Sequence, residues 1–207
     1  MKAFVALALS AFSLAACHYV VPIRSPITQP PIASPIRGMI DVFYPAEFQT
    51  YHCKTGKGYI FDTFRFDLGA QSVTMFDSIL EGVFEHIEHV DRDPDFAGRS
   101  RPHPAITLRL VQFTGCEAKW PIVGTTAIDI EYDANIYTRT GKAIAQITAR
   151  GHADAFDIPT GASADESQYL GRLTGAAMRK AAASFVADFQ RREEIRETLN
   201  AESSTQP

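Results

Sequence analysis

Glu85-His86-Ile87-Glu88-His89, followed by Asp91, Asp93 and Asp95, is the densest run of side chains able to bind a cation or move a proton. Read as helix, His86 and His89 lie three apart on neighbouring sides and could share a metal with a nearby carboxylate. The order H-E-x-x-H that places two imidazoles on one helical face is absent. The aspartates have the spacing that opens a calcium loop, but Phe96 stands where its glycine is required and Pro102 where its closing glutamate belongs. The run therefore reads as a solvated polar face ending in an acidic turn, with no metal-ligand set.

Other short matches are equally thin. Lys54-Thr55-Gly56 copies one element of penicillin-binding enzymes, but no S-x-x-K supplies the nucleophile. Gly161-Ala162-Ser163-Ala164-Asp165 falls one residue short of G-x-S-x-G, and neither Gly56-Lys57-Gly58 nor Gly141-Lys142 sits in a phosphate-binding loop. Trp120 beside Pro121 fits an aromatic anchor for a partner or a plug for the end of a sheet near Cys116. His52, His103 and His152 fall near expected strand ends, where a hydrolase could assemble them only in three dimensions. No catalytic set and no cofactor is implied.

The chemistry that the sequence does specify lies at its start. Lys2 supplies a positive charge, Ala3 to Ala16 is apolar apart from Ser10 and Ser13, and small residues precede Cys17. This is the layout of a secretory signal. The apolar part is shorter than the roughly 20 residues that cross a hydrocarbon core. The order Leu14-Ala15-Ala16-Cys17 resembles the lipobox of bacterial lipoproteins, and that resemblance implies cleavage before Cys17 and acylation of its thiol and amino group. Acyl chains contribute about 0.8 kcal/mol per buried methylene, so several together anchor a protein firmly. His18 follows in place of the aspartate that in such families retains a lipoprotein in the inner membrane, which implies the outer membrane, facing the periplasm.

With Cys17 taken by lipid, Cys53 and Cys116 remain in an oxidising compartment, and an even remainder invites a disulfide. Two free thiols or a metal site are the alternatives, the latter without any C-x-x-C spacing. The formal net charge of -4 carries no basic block, which argues against nucleic acid as a partner.

The elements that must position these residues follow in order. Residues 1–16 are the signal, and residues 17–37 are a tether with prolines at 22, 26, 30, 31 and 35, too frequent for helix or central strand. Residues 38–200 form one domain, and 201–207 a frayed tail. Met39–Tyr44 and Tyr59–Phe66 read as strands turning at Gly56 and Gly58. Ser72 is the expected N-cap of an amphipathic helix of about 18 residues, with Val73, Phe76, Leu80, Val83, Phe84, Ile87 and Val90 at helical spacing. Residues 91–104 read as a loop. Ala105–Phe113, Ala127–Tyr137 and a return strand from Ala143 to about Phe156 follow, joined by a turn at Thr138–Lys142 with Gly141 placed for positive φ. Along Ala127–Tyr137 the alternation is clean, so one sheet face is wet, and the small residues of the return strand leave room for a helix. That helix starts at Ser163-Ala164-Asp165-Glu166, with capping-box spacing, and runs to about Leu199.

The expected fold is α+β, a two-layer sandwich of a mostly antiparallel sheet with two long helices on one face. In layout the chain is similar to small envelope accessory lipoproteins of the lipopolysaccharide-assembly and ABC-transport auxiliary types. That resemblance implies a non-enzymatic subunit, tethered to the membrane by lipid and bound to an envelope protein. A stand-alone periplasmic carrier of an apolar ligand and a hydrolase with a dispersed site are the alternatives.

Overall fold

The computed structural model describes residues 18–23, 35–55, 63–93, 101–116, 127–158 and 166–203. Cys17, Gly56, Gly58, Trp120 and the Ser163 cap lie outside them. In chain order the elements are β1 (His18–Val20), β2 (Ile36–Phe43), α1 (Ala46–Gln49), β3 (His52–Lys54), β4 (Thr63–Asp67), α2 (Leu68–Val83), β5 (Phe84–His89), β6 (Ala105–Phe113), β7 (Ile128–Tyr137), β8 (Ala143–Ala153), α3 (Glu166–Arg191) and α4 (Glu193–Ser203). The fold is α+β. Among the described residues the strands form a three-stranded sheet in the order β1-β4-β3 and a five-stranded sheet in the order β5-β2-β6-β7-β8. β1/β4, β2/β5 and β2/β6 are parallel while β3/β4, β6/β7 and β7/β8 are antiparallel, so both sheets are mixed, with the long antiparallel ladders in β6-β7-β8.

The β6-β7-β8 meander follows the sequence pattern. Ile128, Ile130, Tyr132, Ala134 and Ile136 are buried, and Asp129, Glu131, Asp133 and Asn135 alternate with them toward water. Gly141 has φ 80° and closes the turn, its N–H donating to the Thr138 carbonyl at 2.9 Å. On β8, Gly151 lies so close to α3 that a Cβ there would stand 1.9 Å from the Ala177 carbonyl oxygen. The small-residue strand admits the helix, as its sequence suggests, and Ala177, Ala181, Phe185 and Phe189 are buried along α3.

Helix α2 departs from its sequence pattern. It begins at Leu68, ends at Val83, and the last residues of the expected helix, Phe84–His89, are strand β5 beside β2. Pairing with β2 satisfies the backbone of these residues, and that tertiary gain overrides a weak local preference. Ser72 is therefore not a cap but a residue inside the helix, 1% exposed, with Oγ 2.9 Å from the Tyr132 hydroxyl. Burial pushes the Tyr132 hydroxyl pKa upward, so it stays protonated. Replacing Tyr132 by phenylalanine leaves the Ser72 hydroxyl buried without its partner, at an expected cost of about 1–2 kcal/mol. Adding Ser72→Ala should recover part of that loss, and a double-mutant cycle by urea unfolding with a coupling near zero would reject the bond.

Three other expectations are corrected. Met39–Tyr44 does not turn back onto the strand at 59–66. β2 and β4 lie in different sheets, with α1 and β3 between them in sequence. The segment after Cys17 is not a free tether throughout, because β1 pairs with β4, the Val21 N–H donates to the Arg65 carbonyl, and Val21 and Ile23 are buried. An otherwise open edge of β4 and two apolar side chains are what draw it in. The last helix is broken at Arg192, whose guanidinium donates to the Gln146 carbonyl at 3.0 Å, and Glu202 is no frayed tail, since its carboxylate accepts from the Arg139 N–H at 3.0 Å.

Candidate functional site

Two places gather the residues that chemistry or attachment can use. The first is the junction of β1 with the three-stranded sheet. His18 opens β1 directly after Cys17, and Tyr19 and Val20 are exposed, Tyr19 lying against Phe64 with ring centroids 6.0 Å apart. Register places Val20 beside Arg65, and Arg65 beside Lys54 of β3. Arg65 is tied to Asp67 at 2.6 Å. Cys53 of β3 and Cys116, in the 3₁₀ turn Thr114–Cys116 after β6, lie at disulfide distance with Cα atoms 6.0 Å apart, and the bridge joins the two sheets.

The second place is a corner of the five-stranded sheet on the face away from the helices. Ile40 and Val42 point into the core, which sends Asp41 between them to the opposite face. There Asp41 has Glu88 of β5 on one side and Ala105 of β6 on the other. It is nonetheless 4% exposed, because Arg101-Pro102-His103-Pro104 lies against it and the Asp41 N–H donates to the Pro104 carbonyl at 2.9 Å. The Arg101 guanidinium comes no nearer to the carboxylate than 3.9 Å. Burial raises the Asp41 pKa, and the charges of His103 and Arg101 act in the other direction. One donor atom each from Asp41, Glu88 and His103 lie within 4.8 Å of one another.

The sequence run at 85–95 is dispersed by this geometry. On a strand its members alternate between faces. Glu85 accepts from the Gly38 N–H, His89 meets Asp77 at 2.9 Å, Asp93 reaches Arg109 at 3.7 Å, and among the described members of the run it is Glu88 that reaches the corner, Asp95 lying outside the described residues. Asp77 also accepts from the buried Tyr44 hydroxyl at 2.7 Å, and burial with that carboxylate raises the Tyr44 pKa. The three histidines considered for hydrolysis do not share a partner. His52 meets the Thr50 carbonyl on β3, His152 meets Asp129 at 2.8 Å across β7 and β8, and His103 joins Asp41. Asp41 and His103 were the residues that local patterns could not pair, since they meet only through the strand order.

The wet face beyond this corner satisfies itself. Arg150 donates to Glu131 at 2.7 Å, and Gln146 and Thr148 both donate to Asp133 at 2.7 Å, each across neighbouring strands. Phe156 projects from the far end of β8 almost fully exposed.

No family model matches the sequence, and no curated protein matches it. Among solved structures the chain is similar to protein XCC0632 from Xanthomonas campestris, described with family model DUF330, at 12% identity and a TM-score of 0.49, over 86% of this chain and 99% of that one. It is also similar to the hypothetical protein CT253 from Chlamydia trachomatis, at 11% identity and a TM-score of 0.42, over 80% of this chain and 99% of that one.

Proposed function

We propose that the protein is a non-enzymatic lipoprotein, anchored in the bacterial outer membrane through Cys17 and facing the periplasm. In this reading it serves as an accessory or binding subunit of an envelope assembly or transport machine. The observation that carries this reading is the contiguity of address and fold. The lipobox-like Leu14-Ala15-Ala16-Cys17 is followed at once by β1, which is hydrogen-bonded into the three-stranded sheet. A residue of extended chain spans only about 3.3 Å, so acyl chains on Cys17 would hold the sheet against the bilayer instead of on a long leash. A domain fixed there is placed to meet a membrane-embedded partner, and the exposed Phe156 is a surface aromatic of the kind that anchors protein contacts.

Replacing Cys17 by serine tests the anchor. The parent chain should fractionate with membranes, start at residue 17 by intact mass and carry the added mass of acyl groups, whereas the variant should lose that mass and become soluble. A parent chain without acyl mass, or a serine variant retained by membranes to the same extent, would overturn the lipoprotein reading. A stoichiometric envelope protein retained by the native parent after gentle extraction, and lost from a Phe156→Asp variant, is the outcome expected for an accessory subunit.

A further inference from the structure

We propose that Asp41, Glu88 and His103 form a binding site for one divalent cation of the zinc class. This proposal stands on the corner of the five-stranded sheet and does not depend on the lipid anchor. Three segments converge there, and their donor atoms lie within 4.8 Å of one another. One imidazole nitrogen and two carboxylates are a donor set that suits zinc with a water in the fourth position, whereas calcium and magnesium take oxygen.

Two of the ligands are held in place before any ion arrives. Asp41 sits in the middle of β2, paired on both sides, with its side chain 5% exposed. The Arg101 guanidinium stays 3.9 Å from its carboxylate, beyond hydrogen-bond reach. His103 stands between Pro102 and Pro104, so its own φ and ψ are restricted to extended values by the proline that follows. The segment is fastened at both ends, Pro104 accepting from the Asp41 N–H and the Arg101 N–H donating to the Arg139 carbonyl at 2.8 Å. Glu88 is exposed on an edge strand and has the rotamer freedom to close the remaining distance.

The charge balance favours a dication. Asp41 and Glu88 bring two negative charges to neighbouring strand positions, and Arg101 offsets one of them without bonding to it. Bound zinc would complete the compensation and fasten β5 to β2 and to the segment that leads into β6.

The full chain, extracted in detergent and stripped with chelator, should take up one zinc ion in a competition titration against a metal indicator, and Co²⁺ should give the absorption of a low-symmetry, low-coordinate site. Asp41→Asn and His103→Gln should each weaken zinc at least about 100-fold, and Glu88→Gln about 10-fold, judged against the usual scale for metal-site residues. A His86→Gln/His89→Gln chain, altered on the same strand outside the site, should bind as the parent does. Should Asp41→Asn fail to fold, Glu88→Gln and His103→Gln decide the matter, since one residue is exposed and the other lies in a connecting segment. Absence of stoichiometric zinc in the parent overturns the proposal. So does undiminished binding in His103→Gln and Glu88→Gln, or loss of binding confined to the His86/His89 chain.

Discussion

Replacing Gly151 by valine is expected to destabilise the domain by at least about 3 kcal/mol and to lower its melting temperature by roughly 10 °C. The reason is a backbone approach, not a turn. Even one added carbon at Gly151 would stand 1.9 Å from the Ala177 carbonyl oxygen and 2.7 Å from the Ala181 nitrogen. Those atoms belong to the middle of α3 and cannot rotate aside, so the helix must lift from β8. Lifting it opens the interface that Ala177, Ala181 and Phe185 fill. Gly151→Ala should show a smaller loss of the same sign, and Arg150→Ala, next to it on the water-facing side, should fall within about 0.5 kcal/mol of the parent. Urea unfolding of all three under the same conditions checks the ranking. A valine variant as stable as the parent would mean that α3 does not lie where the structure puts it.

Removing the Cys53–Cys116 bridge is expected to cost about 4 kcal/mol in the chain-entropy account, because the two cysteines are 63 positions apart. The segment between them contains β4, α2, β5 and β6, so the bridge restrains most of the first half of the domain in its unfolded state. In the folded state it joins the three-stranded sheet to the end of β6, beside the contact between Phe66 and Phe113, whose ring centroids are 5.2 Å apart. The double variant Cys53→Ser/Cys116→Ser should unfold at lower urea than the oxidised parent and should not respond to reductant. The parent should fall to the variant's midpoint when reduced. A parent indifferent to reductant would show that the bridge does not form in the protein as made.

Where a stretch of sequence contains its own structural reason, it was readable. The alternation of Ile128, Ile130, Tyr132, Ala134 and Ile136 fixes a half-buried strand because period two is a local property. Gly141 marks its turn because few other residues accept positive φ. Ala105–Phe113 came out with the bounds its composition suggests. Phe84–His89 was unreadable for the opposite reason. Its apolar residues at 84 and 87 suit the helical spacing that precedes them, and the partner that makes them a strand, β2, lies more than forty positions away. The break at Arg192 has the same character, since its guanidinium is held by a carbonyl of β8. At the candidate site the sequence displayed Glu88 among Glu85, His89 and Asp93, which bond elsewhere. Asp41 looked like a polar lapse in an apolar strand, and His103 like one more polar residue in a proline-rich connection. Only the order β5-β2-β6 brings them to one corner.

The place of β1 has a consequence for the order of events in folding. Its register partner begins at Thr63, and the backbone of Pro22 rests against Gly171 of α3, where an added Cβ would stand 2.3 Å from the Pro22 carbonyl oxygen. The residues of β1 are thus made well before their neighbours, because each contact waits for a strand or helix that comes much later in the sequence. Until then the edge of β4 lacks its parallel partner and is open to pairing with another chain. If the proposed anchor at Cys17 holds, the missing strand would spend that interval at the bilayer surface. The rest of the domain would then have to come to it, and closure of the three-stranded sheet would be an event at the membrane and not in free solution.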